Sequence, residues 1–275
     1  MSKKIIITGG TSGIGEAAVK DLLNEGWHVI MLARNHQKAS EMMSQKWKGT
    51  LDYIPCDLTD LQSVKTATIN IKADFEHVDV LMNNAGAIIQ EKEITVDGYE
   101  RTFAINHLGH FMLTTELIDL LIASNTRVIN VSSEAHKLGK MDFEDLQWQT
   151  RNYSSMNAYG LGKLCNIFFT MELHKRYHDR GLSSYACHPG VVKSNFAGDS
   201  AGMVKFLFKA MQPFMISPEK GALTQLFLTK KEGIERLSGK YFVKQKLANT
   251  ASQAKEQEAA LQLWEVSEEL VAAFR

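Results

Sequence analysis

The chain has few cysteines, few prolines, no net charge and no long apolar run. Its three cysteines, Cys56, Cys165 and Cys187, lie far apart and form no C-x-x-C pair. That spacing speaks against a disulfide framework or a zinc site and for buried thiols in a reducing compartment. Lys+Arg and Asp+Glu both number 31 in 275 residues, so nothing marks a dedicated binder of nucleic acid or of anionic membranes. Four prolines build no Pro/Ser-rich linker, and no internal repeat divides the chain. After Met1-Ser2-Lys3-Lys4 the first apolar run is too short for a signal peptide or a transmembrane anchor, and the expected location is the cytoplasm. Core material is ample: 44% apolar and 23% charged residues exclude a disordered chain.

What is there is an alternation. Lys4–Ile7, His28–Leu32, Leu51–Pro55, Val78–Met82, Arg127–Val131, Ser183–Cys187 and Lys240–Val243 read as strands, the first buried on both faces. Helical patterns separate them. They run from Glu16 to about Asn24, from near Asp60, from Ile105 to Ala123, and through Tyr159 and Lys163 to about His178. A further one is capped by Ser217 with Pro218 at its first position, and a charged one runs from Glu256 to Phe274. The pattern predicts an α/β fold: a single doubly wound parallel sheet with helices on both faces, in one domain over residues 1–275.

The turns carry the chemistry. Thr8-Gly9-Gly10-Thr11-Ser12-Gly13-Ile14-Gly15 joins the first strand to the first helix. A glycine-rich turn there brings backbone N–H groups and a helix N-terminus up to a phosphate. The spacing is T-G-x-x-x-G-x-G rather than G-x-G-x-x-G. After the second strand, Ala33-Arg34-Asn35 occupies the place, roughly 20 residues past the glycines, where an acid would bind the ribose of NAD. Arg34 instead offers a cation to a 2′-phosphate, which favours NADP(H) over NAD(H). Asp57 would accept from an adenine amino group with Leu58 beside the ring, or would cap the next helix. Asn83-Asn84-Ala85-Gly86 is a small-residue turn at a strand's C-terminal edge, where ligands of doubly wound sheets gather. Inside the expected long helix, an inward-facing Asn106 would need a hydrogen-bond partner. His107 and His110 lack the further ligands of a metal site and read as packing or surface residues. Tyr159 and Lys163, one helical turn apart, set an ammonium beside a phenol, which would lower the phenol's pKa toward useful acid–base chemistry. The apolar segment from Asn195 to Ile216 reads as a lid over an apolar pocket, as an ordinary covering helix, or as a dimer or membrane contact.

Taken in order, Thr8-Gly9-x-x-x-Gly13-x-Gly15, Asn83-Asn84-Ala85-Gly86, Asn106, Ser133, Tyr159-x-x-x-Lys163 and Pro189-Gly190 resemble the short-chain dehydrogenase/reductase family. Asn106-His107-Leu108-Gly109-His110-Phe111, Val131-Ser132-Ser133-Glu134-Ala135-His136 and His188-Pro189-Gly190-Val191-Val192 resemble its retinol-dehydrogenase and WW-domain-oxidoreductase branch. The long interval between Ser133 and Tyr159 does so too. The resemblance implies an NADP-dependent oxidoreductase acting on an alcohol, aldehyde or ketone. Tyr159 would be the acid or base and Lys163 its pKa-lowering partner and ribose ligand. Ser133 would stabilise the reacting oxygen, and Asn106 would hold a water near Lys163. Gly9, Thr11, Ser12, Gly13, Ile14 and Gly15 would form the pyrophosphate turn. Arg34, Asn35, Asp57, Leu58, Asn84, Ala85 and Gly86 would hold the adenosine side, and Pro189, Gly190, Val192 and Ser194 the nicotinamide side. Pairing of two copies through helices is a further implication. The alternatives are a cofactor-binding regulator without turnover and a reductase of carbon–carbon double bonds.

Overall fold

A computed structural model describes residues 2–192 and 215–275. Eight strands make one sheet: β1 (Lys4–Thr8), β2 (His28–Ala33), β3 (Thr50–Pro55), β4 (Val80–Asn83), β5 (Arg127–Val131), β6 (Ser183–His188), β7 (Lys240–Val243) and β8 (Lys246–Leu247). Their order is β3-β2-β1-β4-β5-β6-β7-β8. The first seven are parallel, and only β8 runs antiparallel to its neighbour. The order reverses between β1 and β4, and a doubly wound sheet opens a crevice at that point.

Side-chain alternation assigns each face its helices. Ile6, Ile30, Leu81 and Val128 enter one apolar cluster, and Ile5, Ile7, Met31, Met82 and Ile129 enter the other. Buried strands with apolar residues at every position need this two-sided cover. The helices are α1 (Gly13–Asn24), α2 (His36–Met43), α3 (Leu61–Asp74), α4 (Gly109–Glu116), α5 (Ile118–Ala123), α6 (Ser155–Tyr177), α7 (Pro218–Lys230) and α8 (Gln257–Val271). As the sequence suggested, Ser217 caps α7 by accepting from Lys220 N–H, with Pro218 in the first turn. In α8, Trp264 meets Phe111 of α4 edge-on at 5.0 Å and Phe169 of α6 at 5.8 Å.

Two expectations change. The helix expected over Ile105–Ala123 starts earlier, where the buried Glu100 carboxylate accepts from Thr102 and Phe103 N–H, both at 2.7 Å. It then widens into a π-turn at Ala104–Leu108 and breaks again at Leu117. Asn106 lies in the π-turn because its amide is clamped: Nδ2 donates to the Ala87 and Thr102 carbonyls at 2.9 and 2.8 Å. The cap of α3 is Asp60, not Asp57; its carboxylate accepts from Ser63 N–H at 3.1 Å. Ser194 and most of the segment expected as a lid at 195–216 lie outside the described residues.

Candidate active site

A cleft of about 1730 Å³ opens over the C-terminal edge of the sheet. A smaller depression of about 360 Å³ sits at the other end of the strands, around Lys3, Asp79 and Arg127. The large cleft gathers the sequence motifs.

The glycine-rich turn forms its floor. Gly9, Thr11, Ser12, Gly13 and Ile14 line the cleft. Ser12 is the N-cap of α1, yet its side chain accepts no capping hydrogen bond, so the first-turn N–H groups remain available to an anion. Gly15 does not line the cleft but makes the turn possible. A Cβ there would overlap the Gly9 carbonyl oxygen and come 2.5 Å from Asn84 Nδ2. Asn84 donates that Nδ2 to the Thr8 carbonyl at 2.8 Å, while its Oδ1 is buried without a partner. The open N–H groups and the orphan acceptor, side by side, fit a nucleotide's phosphate and hydroxyl groups.

Thr8 ties this floor together, a role that sequence reasoning missed. Its Oγ1 accepts from Asn84 N–H at 2.9 Å and from Ala85 N–H at 3.0 Å. The same oxygen lies 2.9 Å from His110 Nε2. With both lone pairs used, the hydroxyl proton goes to Nε2 at 2.9 Å in preference to the Met82 carbonyl at 3.5 Å, so His110 carries its proton on Nδ1, toward the Asn106 carbonyl 3.4 Å away. Burial pushes the His110 pKa down to about 3. His107 is equally buried, beside Ser267 Oγ at 2.8 Å.

Arg34 and Asn35 line the outer end of the cleft together with a cation that the sequence reading passed over, Lys38. Asn35 caps α2 by accepting from Lys38 N–H at 2.9 Å, which brings Lys38 over the same end. Its position four residues after Arg34 was the available signal. Leu58 also lines the cleft, but Asp57 does not. The Asp57 carboxylate is turned inward on its own loop, accepting from Thr59 N–H and Oγ1 at 2.9 and 2.7 Å, and it stands 3.7 Å from Arg34 Nη1. Asp57 therefore balances Arg34 rather than facing the cleft.

At the inner end, β5 delivers Ser132 and Ser133 with opposite fates. Ser132 is buried and donates to the Lys163 carbonyl at 2.7 Å. Ser133 lines the cleft, accepts from Ala135 N–H at 3.2 Å, and hydrogen-bonds Tyr159. Tyr159 and Lys163, on α6, both line the cleft, with Lys163 Nζ 5.5 Å from the centre of the tyrosine ring. Lys163 is 2% exposed, and Nζ donates to the Val131 carbonyl at 2.9 Å. Burial pushes the Lys163 pKa down to about 7.

The expected lowering of the Tyr159 pKa is not what this site does. Burial pushes the phenol up to about 12, and the Ser133 hydrogen bond only partly offsets it. Desolvation disfavours the phenolate, and an amine driven toward neutrality exerts less pull than an ammonium. Asn106 finds the hydrogen-bond partners that an inward-facing amide needs. Its side chain is spent on backbone groups, including acceptance from Ala87 N–H at 3.3 Å, and it does not line the cleft.

Ala85, Gly86, Pro189, Gly190 and Val192 complete the lining around these groups, and Ile88, Ile89, Leu138 and Met156 give the inner wall apolar character. Among the described residues no three His, Cys, Asp or Glu side chains gather as metal ligands, and no helix is long and apolar enough to cross a membrane.

The family model for short chain dehydrogenases matches residues 3–204. The chain belongs to the short-chain dehydrogenase family. Among curated relatives it is 39% identical to mouse retinol dehydrogenase 12, over 98% of this chain and 86% of that one. It is 36% identical to the WW domain-containing oxidoreductase of Danio rerio, over 98% of this chain and 68% of that one. A crystal structure of an uncharacterised Mycobacterium paratuberculosis protein superposes with a TM-score of 0.80 at 31% identity, covering 98% of this chain and 93% of that one. As a short-chain dehydrogenase the chain is an oxidoreductase of CH–OH and C=O groups that uses a nicotinamide dinucleotide.

Proposed function

We propose that this short-chain dehydrogenase exchanges a hydride between NADP(H) and the alcohol or carbonyl group of an apolar small molecule, with Tyr159 transferring the proton. The observation that carries the reading is the Ser133–Tyr159 hydrogen bond beside a buried Lys163, all three lining one cleft. The nicotinamide ring supplies the hydride when bound. Thr11, Ser12, Gly13 and Ile14 would hold the pyrophosphate on open N–H groups. Arg34 and Lys38 would meet the 2′-phosphate, Leu58, Asn84 and Ala85 the adenosine side, and Pro189, Gly190 and Val192 the nicotinamide side.

Tyr159, with its pKa pushed up to about 12, is a proton donor at neutral pH, which suits carbonyl reduction. Ser133 would orient the reacting oxygen and stabilise charge developing on it. Lys163, near neutrality at pKa about 7, is able to return a proton toward the tyrosine as the reaction proceeds. The Ile88, Ile89, Leu138 and Met156 wall would exclude water and favour apolar substrates.

The test is a panel of aldehydes and ketones with NADPH, followed at the reduced-nicotinamide absorbance. Tyr159→Phe should lower kcat by about 10²–10⁴-fold, the usual contribution of general acid–base catalysis, with NADPH affinity preserved. Undiminished turnover in that variant would refute the assignment.

A further inference from the structure

The turn that carries Ser133 is gripped by a side chain that the proposed chemistry leaves unused. His136 is fully buried, and both ring nitrogens are engaged. Nδ1 lies 2.7 Å from the Ser133 carbonyl oxygen, which can only accept, so Nδ1 holds the proton. Nε2 accepts from Ala251 N–H at 3.0 Å. The imidazole is thus neutral in one tautomer, in keeping with burial lowering its pKa.

The surroundings make the grip stiff. The Tyr241 ring, on β7, packs edge-on against His136 with centroids 5.3 Å apart. The Tyr241 hydroxyl donates to the Glu134 carboxylate at 3.0 Å. Two residues of the Glu134–Lys137 turn are therefore anchored to the C-terminal part of the chain. The Ser133 carbonyl, which also accepts His136 N–H at 3.0 Å, is the hinge between that anchor and the serine hydroxyl. On the other side of the hinge, Ser133 Oγ reaches Tyr159.

We infer that His136 is a positioning residue for the reaction: its Nδ1–H holds the Ser133 carbonyl, and so aims the Ser133 hydroxyl at Tyr159. The inference rests on the proposed roles of Ser133 and Tyr159. His136 does not line the cleft and acts only through the Ser133 carbonyl. Its carbonyl partner fixes where a hydroxyl sits, and small misplacements of such groups are costly in catalysis.

The two ring nitrogens can be separated by substitution. His136→Asn keeps a donor near the Nδ1 position and loses the acceptor, whereas His136→Gln keeps an acceptor near the Nε2 position and loses the donor. In carbonyl reduction with NADPH, His136→Gln and His136→Ala should lose about tenfold or more in kcat, the value of about one charge-free hydrogen bond with its orphaned partner. His136→Asn should stay within about threefold of wild type, and KM for NADPH should not move in any variant. Added to Ser133→Ala, His136→Ala should cause no further loss, since the two act through one group. A readout without turnover accompanies these: the Cζ resonance of ¹³C-labelled Tyr159 at neutral pH, identified by its disappearance in Tyr159→Phe. It should shift in His136→Gln and stay in place in His136→Asn. Asn and Gln variants that match in kcat and in Cζ shift would overturn the inference. So would a full multiplicative loss in the double variant. A wild-type protein without turnover on any carbonyl would sink the proposed function alone, and the Cζ comparison would still decide the role of His136.

Discussion

Replacing Thr8 by Val keeps shape and strand preference and removes one hydroxyl, so it isolates what that hydroxyl does. Thr8 is 1% exposed, and its Oγ1 serves Asn84 N–H, Ala85 N–H and His110 Nε2. Asn84 and His110 are themselves buried, at 7% and 1% exposure, and would be left with unsatisfied groups at about 1–3 kcal/mol each. Ala85 faces the cleft, where water replaces much of its loss. The sum is about 2–6 kcal/mol. Thr8→Ser, which removes only a buried methyl, should cost about 1 kcal/mol. Urea unfolding of the two variants and wild type reads the difference directly. A thermal scan should show Thr8→Val melting about 5–15 °C lower, at the few degrees per kcal/mol usual for chains of this size. The Asn83–Gly86 turn would relax with it, so NADPH should bind the valine variant more weakly than the serine one. If Thr8→Val and Thr8→Ser unfold within about 1 kcal/mol of each other, the hydroxyl does not tie the turn to β1, and the assigned His110 tautomer loses its basis.

Arg34→Ala should weaken NADPH binding about 10–100-fold, one or two charge-assisted contacts, and leave NADH unchanged in a fluorescence titration; Lys38→Ala should act in the same direction. Equal loss for both nucleotides would remove the 2′-phosphate reading. Gly86→Ala would bring a Cβ within 2.7 Å of Asn106 Oδ1 and 3.0 Å of Lys163 Nζ; Asn106 is clamped by backbone, so Lys163 gives way, and kcat should fall about tenfold or more at preserved fold by circular dichroism. Lys163 has a folded pKa of about 7 against about 10.4 unfolded. Across that window the unfolded chain holds a proton that the folded chain has released, so stability without cofactor should rise with pH by up to ~1.4 kcal/mol per unit from this group. Lys163→Met should remove that component, seen as a wild-type-minus-variant difference in urea unfolding that rises with pH between about 7 and 10.

How much of this was legible beforehand depends on whether a feature is coded locally. The strand runs Ile5-Ile6-Ile7 and Val29-Ile30-Met31 sort their side chains to two faces by alternation alone, and the structure follows them. The glycine-rich turn was equally legible, because Gly15 has a local reason: its Cα stands against the Gly9 carbonyl. The π-turn at Ala104–Leu108 was not, since nothing in Ala-Ile-Asn-His-Leu encodes a wider helix. Its cause is the grip of Asn106 on Ala87 and Thr102, and Ala87 belongs to another loop. Asp57 and Asp60 could not be told apart by type; the loop geometry turned one toward Thr59 and Arg34 and the other onto α3.

The Tyr159–Lys163 pair shows the deeper limit. Spacing placed the amine one turn from the phenol, and Coulomb attraction alone would lower the phenol's pKa. Burial was the missing quantity, and it acts on both groups. It raises Tyr159 and lowers Lys163, so both favour their neutral forms and the attraction between charges has little to act on. A neutral phenol near a lysine poised at neutrality is a proton donor with its resupply nearby, whereas a phenolate beside an ammonium would be a base. In the proposed reaction the same two residues would thus lean toward reduction because of how deeply α6 seats them against β5. Ser132, donating to the Lys163 carbonyl at 2.7 Å, and Asn166, donating to the Val131 carbonyl at 3.1 Å, hold that seat. Loosening it by Asn166→Ala, which touches neither reacting group, should admit water beside Lys163 and raise its pKa toward the ordinary lysine range. The alkaline limb of the reduction pH profile, where Lys163 loses the proton it returns, should then move upward relative to wild type. An unmoved profile, with Asn166→Ala folded, would mean that depth of burial does not set the direction in which this pair works.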